Sequence, residues 1–329
     1  MNLPRATVGL DIGGTKTLAA LLAPDGLVVA QARIATTRGA DGVVDGAVRA
    51  VQGVLRQAGQ DAAALGGVGV GVPGIVDPAT GTVRHAVNLG VDGVPLPLAR
   101  RLADELGVGA VVENDLNVAA VGAAHLLPEP DGRSDDLAFL ALGTGLAAGL
   151  VLDGALRRGS TGAAGEIGHV PVHPDGPVCA CGQRGCLELY ASGSAVEALW
   201  PPGTHGRSPD VPAPVALFEA ATAGDPAATA AVQRYADAVA AAVRMLVLSV
   251  DVRHVVLGGG VAQLGEPLLE AVHAALVRQE AASAFVASLA LPGRVRLAPG
   301  HVPVGAVGAA VLARAIPARP AAVRPAETA

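Results

Sequence analysis

ATVGLDIGGTKTLAALL, residues Ala6 to Leu22, is the stretch whose reading decides the fold of this 329-residue chain. Residues 6–14 read as a buried strand running into a turn, because apolar side chains follow one another almost without a break until Gly13-Gly14. Residues 17–24 and 27–36 read as further strands, punctuated by Gly-Thr and Asp-Gly. A second strand pair around a Gly-Thr turn occurs at LALGTGLAAGLVL, Leu140 to Leu152. The repetition predicts two related halves, each a β-rich unit followed by alternating helices and strands, and so an α/β fold.

The remaining periodicities fill in those halves. Helical spacing predicts helices at 41–59, 97–106, 117–127, 186–199, 215–223, 226–250, 266–279 and 305–315. Short apolar runs predict strands at 67–72, 108–113, 136–143, 146–152, 254–257 and 294–298. PEPDGRSDD, from Pro128, reads as a polar linker, 201–214 as a Pro-rich surface loop and 317–329 as a disordered tail.

Composition narrows the function. The chain is 51% apolar with a net charge of −6 and no basic stripe, which argues against a nucleic-acid groove. Its longest apolar stretch, Ala238 to Val250, is interrupted by Arg244 and is too short to span a bilayer, so no membrane partner is expected. MNLPRATVGLDIGG has no signal-peptide core, which predicts a cytoplasmic protein. Of 23 basic residues only Lys16 is lysine, and the only asparagines are Asn2, Asn88, Asn114 and Asn117. Where arginine is the default cation, one lysine marks a place that needs a compact point charge.

That lysine closes Asp11-Ile12-Gly13-Gly14-Thr15-Lys16. Glycines let backbone N–H groups approach phosphate oxygens, Thr15 adds a hydroxyl, Lys16 adds charge, and Asp11 can hold a water-ligated magnesium ion. No G-x4-G-K-[ST] occurs, which excludes a Walker-type NTPase. Gly143-Thr144-Gly145 repeats the turn in the second half, and Gly258-Gly259-Gly260 offers a third close-approach backbone, suited to an adenosine. Gly69 to Gly74 matches G-x-G-x-x-G, but Pro73 and the strand-like Ile75-Val76-Asp77 do not open a helix, so no dinucleotide site is expected. Glu113-Asn114-Asp115, with Asn117, flanks a short carboxylate with amides, as recognition of a polyhydroxylated ligand requires. One such carboxylate can take a hydroxyl proton during phosphoryl transfer. Asn88, in HAVNLG, is a further candidate contact.

GEIGHVPVHPDGPVCACGQRGCLE, residues 165–188, holds every cysteine of the chain: Cys179, Cys181 and Cys186. Three thiolates at C-x-C-x4-C with one histidine make the closed tetrahedral set of a structural zinc ion. His169 or His173 can complete it. His169 is favoured, because Pro174 restricts His173 to extended conformations.

These motifs resemble the ROK family of bacterial sugar kinases and sugar-responsive repressors. The resemblance runs from Thr7 to about Ala315 and rests on DIGGTK (11–16), the Val-Pro-Gly loop (72–74), ENDLNVAA (113–120), GTG (143–145), GEIGH (165–169), CACGQRGCLE (179–188) and the late GGG. It implies an actin-like ATPase fold of two ribonuclease-H-like domains with an interdomain cleft. The first would be 1–117 plus 303–316 and the second 118–302, in a homodimer or homotetramer. It implies ATP-dependent phosphorylation of a hexose, foremost glucose at its 6-hydroxyl, as in bacterial glucokinases, with Asp115 as general base. Asn88, Asn114, Glu166, His169 and Glu188 would bind sugar beside Asp115, magnesium would come with ATP, and structural zinc would brace His169 and Glu188. Other sugars (N-acetylglucosamine, N-acetylmannosamine, fructose or allose) are the alternative substrates. A non-catalytic sugar sensor is disfavoured because no helix-turn-helix fits before Asp11. The chain departs from the family kinases at Leu146-Ala147-Ala148, where glycines usually follow GTG, which predicts methyl groups beside the phosphate turn. It also has Val91 where a tryptophan is expected shortly after Asn88.

Overall fold

The computed structural model describes residues 5–127, 136–203 and 207–316. The expected linker residues 128–135 and the expected tail 317–329 lie outside them. The chain forms two compact units, one built from the sequence before Ala123 and after His301, the other from Ala123–His301.

In the first unit the opening apolar run becomes β1 (Thr7–Ile12), which turns back into β2 (Lys16–Leu22) and then β3 (Val28–Ala35). Helix α1 (Ala40–Ala58) follows and stops at Gly59, whose φ of 63° is left-handed and costs glycine little. Strand β4 (Gly67–Val72) leads through Gly74 into a hairpin, β5 (Ile75–Asp77) and β6 (Thr82–Arg84), so no helix opens after the G-x-G-x-x-G run. Helix α2 (Leu98–Leu106), β7 (Ala110–Asn114) and α3 (Asp115–Leu126) complete this stretch. The main sheet has the order β3-β2-β1-β4-β7. β1 is antiparallel to β2 and parallel to β4, and β4 is parallel to β7.

The second unit repeats the scheme. β8 (Leu137–Leu142) turns into β9 (Leu146–Leu152) and β10 (Ala155–Leu156). The single helix expected over 186–199 is two, α4 (Glu188–Ala191) and α5 (Gly193–Leu199). Ser192 separates them, its hydroxyl accepting the Ala195 N–H at 3.1 Å as a helix cap that periodicity alone does not reveal. Helices α6 (Ala213–Thr222) and α7 (Pro226–Val250) follow, the latter capped by Asp225 and opened by Pro226. β11 (His254–Gly258), α8 (Glu266–Ala281), α9 (Ala284–Ser288), α10 (Leu291–Arg294) and β12 (Val295–Leu297) end the unit. Its sheet order is β10-β9-β8-β11-β12, with β8 antiparallel to β9 and parallel to β11, the same senses as before.

The chain then returns to the first unit as α11 (Val304–Ala313), VGAVGAAVLA. This helix lies directly on β1 and β4 because those strands carry Gly9 and Gly69 where it crosses. A Cβ on Gly9 would run into the Ala306 carbonyl, and one on Gly69 into the Ala309 carbonyl. On the other side Val8 and Leu10 of β1 share a buried cluster with Val44, Val51 and Val54 of α1. Each unit has its own core, the second gathering Leu140 and Leu142 with Val243 and Leu246 of α7.

Because the obstacle at Gly69 is backbone, Gly69→Ala forces α11 off the sheet. Guanidinium denaturation should show a loss of about 2–3 kcal/mol with little change in m.

Candidate active site

In the first unit the site starts at the β1–β2 turn. The N–H of Gly13 donates to the Lys16 carbonyl at 2.9 Å, and Thr36 braces the turn by donating its hydroxyl to the Gly13 carbonyl at 2.7 Å and its N–H to the Thr15 carbonyl at 3.1 Å. Gly14 lies close against Asn88, where a Cβ would come within 3.2 Å of the Asn88 backbone carbonyl oxygen. The turn and the exposed Asn88 are therefore neighbours. Thr36 carries no motif signal; it acts because β3 is paired with β2.

The end of β7 supplies the second element. Asn114 caps α3, its Oδ1 accepting the N–H groups of Leu116 at 3.0 Å and Asn117 at 3.4 Å. Glu113 is buried and accepts from the Asn114 N–H and from Asn117 Nδ2, both at 2.9 Å. It is a positioning group, so the ENDLN cluster divides into scaffold (Glu113, Asn117) and presented residues (Asn114, Asp115). Asp115 opens the helix, with Oδ1 accepting the Leu116 N–H at 2.9 Å. Burial pushes its carboxyl above the ordinary value, against the lowering effect of that N–H.

Asp11, at the end of β1, shares this environment. Burial, reinforced by the negative charge of Asp115 and opposed by Lys16, pushes its carboxyl up to about 6. The first turn of α11 also abuts it, since a Cβ on Gly305 would meet Asp11 Oδ2 at 2.8 Å. Two neighbouring half-buried carboxylates with one lysine are an oxygen donor set short of positive charge, which fits a hard dication carried with its waters.

The second unit holds the other candidates. Its turn, Gly143-Thr144-Gly145, is closed by the Gly143 N–H on the Gly145 carbonyl at 3.1 Å. α5 anchors it: the Gly193 N–H donates to the Gly143 carbonyl at 2.6 Å and the Ser194 hydroxyl to the Thr144 carbonyl at 2.8 Å. Gly258-Gly259-Gly260 ends β11, and Gly259, at φ 85°, sits against the backbone of Leu142, so the two glycine turns of this unit adjoin. Of the three side chains expected beside the phosphate turn, two are placed otherwise, while Ala147 is half-buried. Leu146 and Ala148 point into the core, 2% and 1% exposed, and their N–H groups donate to Glu188 Oε2 and the Gly165 carbonyl.

Glu188 links that turn to the cysteine loop. Oε2 accepts the Leu146 N–H at 3.0 Å, while Oε1 lies 4.0 Å from Cys179 Sγ. His169 Nδ1 is 3.9 Å from the same sulfur. One donor atom from each of His169, Cys179, Cys181 and Cys186 falls within 4.8 Å of all the others. His173 stands outside the set, its ring edge-on to Tyr190 with centroids 4.8 Å apart. Burial and the neighbouring sulfurs push the Cys186 thiol up, whereas the Gln183 backbone N–H holds Cys181 down. One nitrogen and three sulfurs around one point fit a tetrahedral zinc ion, which would relieve the crowding of thiolates. Gln183, quoted in the motif but given no role by it, donates to the His169 carbonyl at 3.1 Å. Glu166, just before the turn that carries His169, is exposed.

Two units of one sheet topology, each with a glycine turn between its first two strands, define the actin-like ATPase fold. The chain belongs to the ROK family, which it matches over residues 7–316. It is 31% identical over 281 residues to the glucokinase of Halalkalibacterium halodurans, covering 80% of this chain and 83% of that one. It is 34% identical over 270 residues to an N-acetylmannosamine kinase of Vibrio cholerae, covering 82% and 88%. Among solved structures, a ROK glucokinase from Streptomyces griseus in complex with glucose and AMPPNP is similar at a TM-score of 0.72 and 33% identity, over 94% of this chain and 99% of that one. Among the described residues no helix is long and apolar enough to cross a membrane.

The raised carboxyl of Asp11 has a consequence for stability. A folded-state value of about 6 against 3.8 means that the native state holds the proton more tightly, so its contribution is greatest below about pH 4 and is lost as pH climbs to about 6. The full shift corresponds to at most about 3 kcal/mol. Asp11→Asn should therefore be more stable than the parent at about pH 7.5, with the gain fading towards about pH 4.5; denaturant midpoints at the two pH values measure it.

Proposed function

We propose that this protein transfers the γ-phosphoryl group of ATP to a hexose, with glucose, at its 6-hydroxyl, as the first candidate. The observation that carries the mechanism is Asp115: a half-buried carboxylate with a raised proton affinity, fixed at the first turn of α3 and flanked by the amide of Asn114. Such a group accepts the sugar hydroxyl proton as the new oxygen–phosphorus bond forms and the bond to the β-phosphate oxygen breaks, leaving ADP. Asn88, Asn114, Glu166, His169 and Glu188 are the proposed sugar contacts. The turns at Gly13, Gly14, Thr15 and Lys16 and at Gly143, Thr144 and Gly145 are the proposed phosphate contacts, with Gly258, Gly259 and Gly260 beside the nucleoside. Magnesium bound with ATP neutralises charge on the phosphoryl oxygens, and Asp11 would hold its waters.

Zinc on His169, Cys179, Cys181 and Cys186 would be structural. By fixing His169 through Nδ1 it leaves the other ring nitrogen for a sugar hydroxyl, and by fixing Cys179 it steadies the neighbouring Glu188. Similarity to an N-acetylmannosamine kinase at 34% identity supports a second reading, an N-acetylated hexosamine as acceptor. A coupled ADP-release assay over hexoses and N-acetylhexosamines decides between them. Turnover with none of them would overturn the kinase reading.

Asp115→Asn keeps the shape and removes the base. Its kcat should fall by about 10²–10⁴ with sugar binding largely retained, read by coupled assay and calorimetry. Metal analysis of natively purified protein should give about one zinc per chain, with Cys179→Ser well below that and its sugar KM raised. Zinc-free protein with normal turnover and thermal stability would refute the metal's role.

A further inference from the structure

Gly145 ends the glycine turn of the second unit and Leu146 opens β9, and both lie against one carboxylate. Glu188 Oε2 accepts the Leu146 N–H at 3.0 Å and stands where a Cβ on Gly145 would come within 2.5 Å of it. Oε1, with Cys179 Sγ 4.0 Å away, is the oxygen left for a sugar hydroxyl. The loop that carries Glu166 and His169 is seated on the same strand. Gly165 rests on the Ala148 carbonyl and Gly168 on the Leu146 carbonyl so closely that neither has room for a Cβ. The proposed sugar contacts of this unit and the exit of its proposed phosphate turn are therefore one packed piece of backbone, with Glu188 set between them.

One carboxylate serving two sites has an energetic consequence. A negative charge beside Gly145 opposes a polyphosphate held on that turn. A sugar hydroxyl donating to Oε1 disperses part of the charge and fixes the side chain, which lessens the opposition. We propose that Glu188 is a positioning residue for the phosphate turn as well as a sugar contact, so that bound sugar raises the affinity for nucleotide. By linkage, nucleotide then raises the affinity for sugar by the same factor. The proposal rests on the assignment of Glu188 to the acceptor sugar and goes beyond it by giving the same side chain a hold on the nucleotide.

The test is calorimetry on the full chain as purified, with glucose and N-acetylmannosamine as acceptors and magnesium–AMPPNP as nucleotide. In Gly145→Ala the backbone suits alanine, because Gly145 is not in the left-handed region, and the atom in the way is the end of a flexible side chain that can yield. Displacing that carboxylate should raise the sugar Kd at least about fivefold with no nucleotide present. Glu188→Gln keeps an acceptor for the Leu146 N–H and removes the charge. It should weaken sugar binding yet tighten magnesium–AMPPNP about threefold or more in the absence of sugar, a gain that structural damage does not produce. Sugar should then raise nucleotide affinity less than it does in the parent. An unchanged sugar Kd in Gly145→Ala, or nucleotide affinity no tighter in Glu188→Gln, overturns the proposal while the kinase reading stands. A parent that binds neither sugar fails the acceptor reading itself, and the proposal falls with it.

Discussion

Two carboxylates, Asp11 and Asp115, lie close enough for the charge of Asp115 to raise the proton affinity of Asp11, each being raised first by its own desolvation, and the first unit is arranged around keeping them there. One ends β1, the other follows β7, and these strands flank β4 in one sheet. Neighbouring carboxylates repel, and the surroundings offset that repulsion and the cost of desolvation only in part. The N–H groups at the start of α3 face Asp115, the first turn of α11 abuts Asp11, and Lys16 lies close enough to oppose the rise. The close seating of α11, which needs Gly9 and Gly69, therefore serves more than packing, because it brings a helix N-terminus to Asp11. Stability is given up at neutral pH for a site that is short of a cation.

The second unit solves a different problem, that of holding half-buried polar residues still. Glu188 opens the short helix α4, anchored by the buried Leu187 and Ala191, and His169 ends a single helical turn. Three sulfurs and a ring nitrogen gathered in one place add a second anchor there. The contacts continue outward: Gln183 donates to the His169 carbonyl, and Leu187 donates to the Val170 carbonyl. A loop rich in glycine and proline is thus restrained at both candidate sugar contacts, with the metal as the proposed centre of the restraint.

Much of this was legible in the sequence, for identifiable reasons. Buried strands such as β1 and β11 are continuous apolar runs, and α1 and α7 show helical spacing over many residues, so local pattern and fold agree. The glycine turns and the cysteine set could be read because their chemistry is local in sequence. Readings failed where the deciding partner is distant or the signal is one side chain. Ser192 breaks a helix by a single cap. Thr36 braces a turn twenty residues earlier through strand pairing. Glu113, to which the motif gives no separate role, is bonded to Asn114 and Asn117 as part of the scaffold.

The segment after GTG shows how the two kinds of information combine. Leu146 and Ala148 replace glycines and, read alone, imply a phosphate turn encumbered by methyl groups. In the fold their side chains enter the core, and their N–H groups are committed to Glu188 and Gly165. Those donors are therefore unavailable to phosphate whatever residue stands there, and the turn can offer a nucleotide only the groups of Gly143 to Gly145. What β9 supplies instead is a connection. Its first residues join the proposed phosphate turn to the carboxylate and the GEIGH loop proposed to bind sugar, and a methyl group in place of a hydrogen stiffens that joint by adding buried contacts.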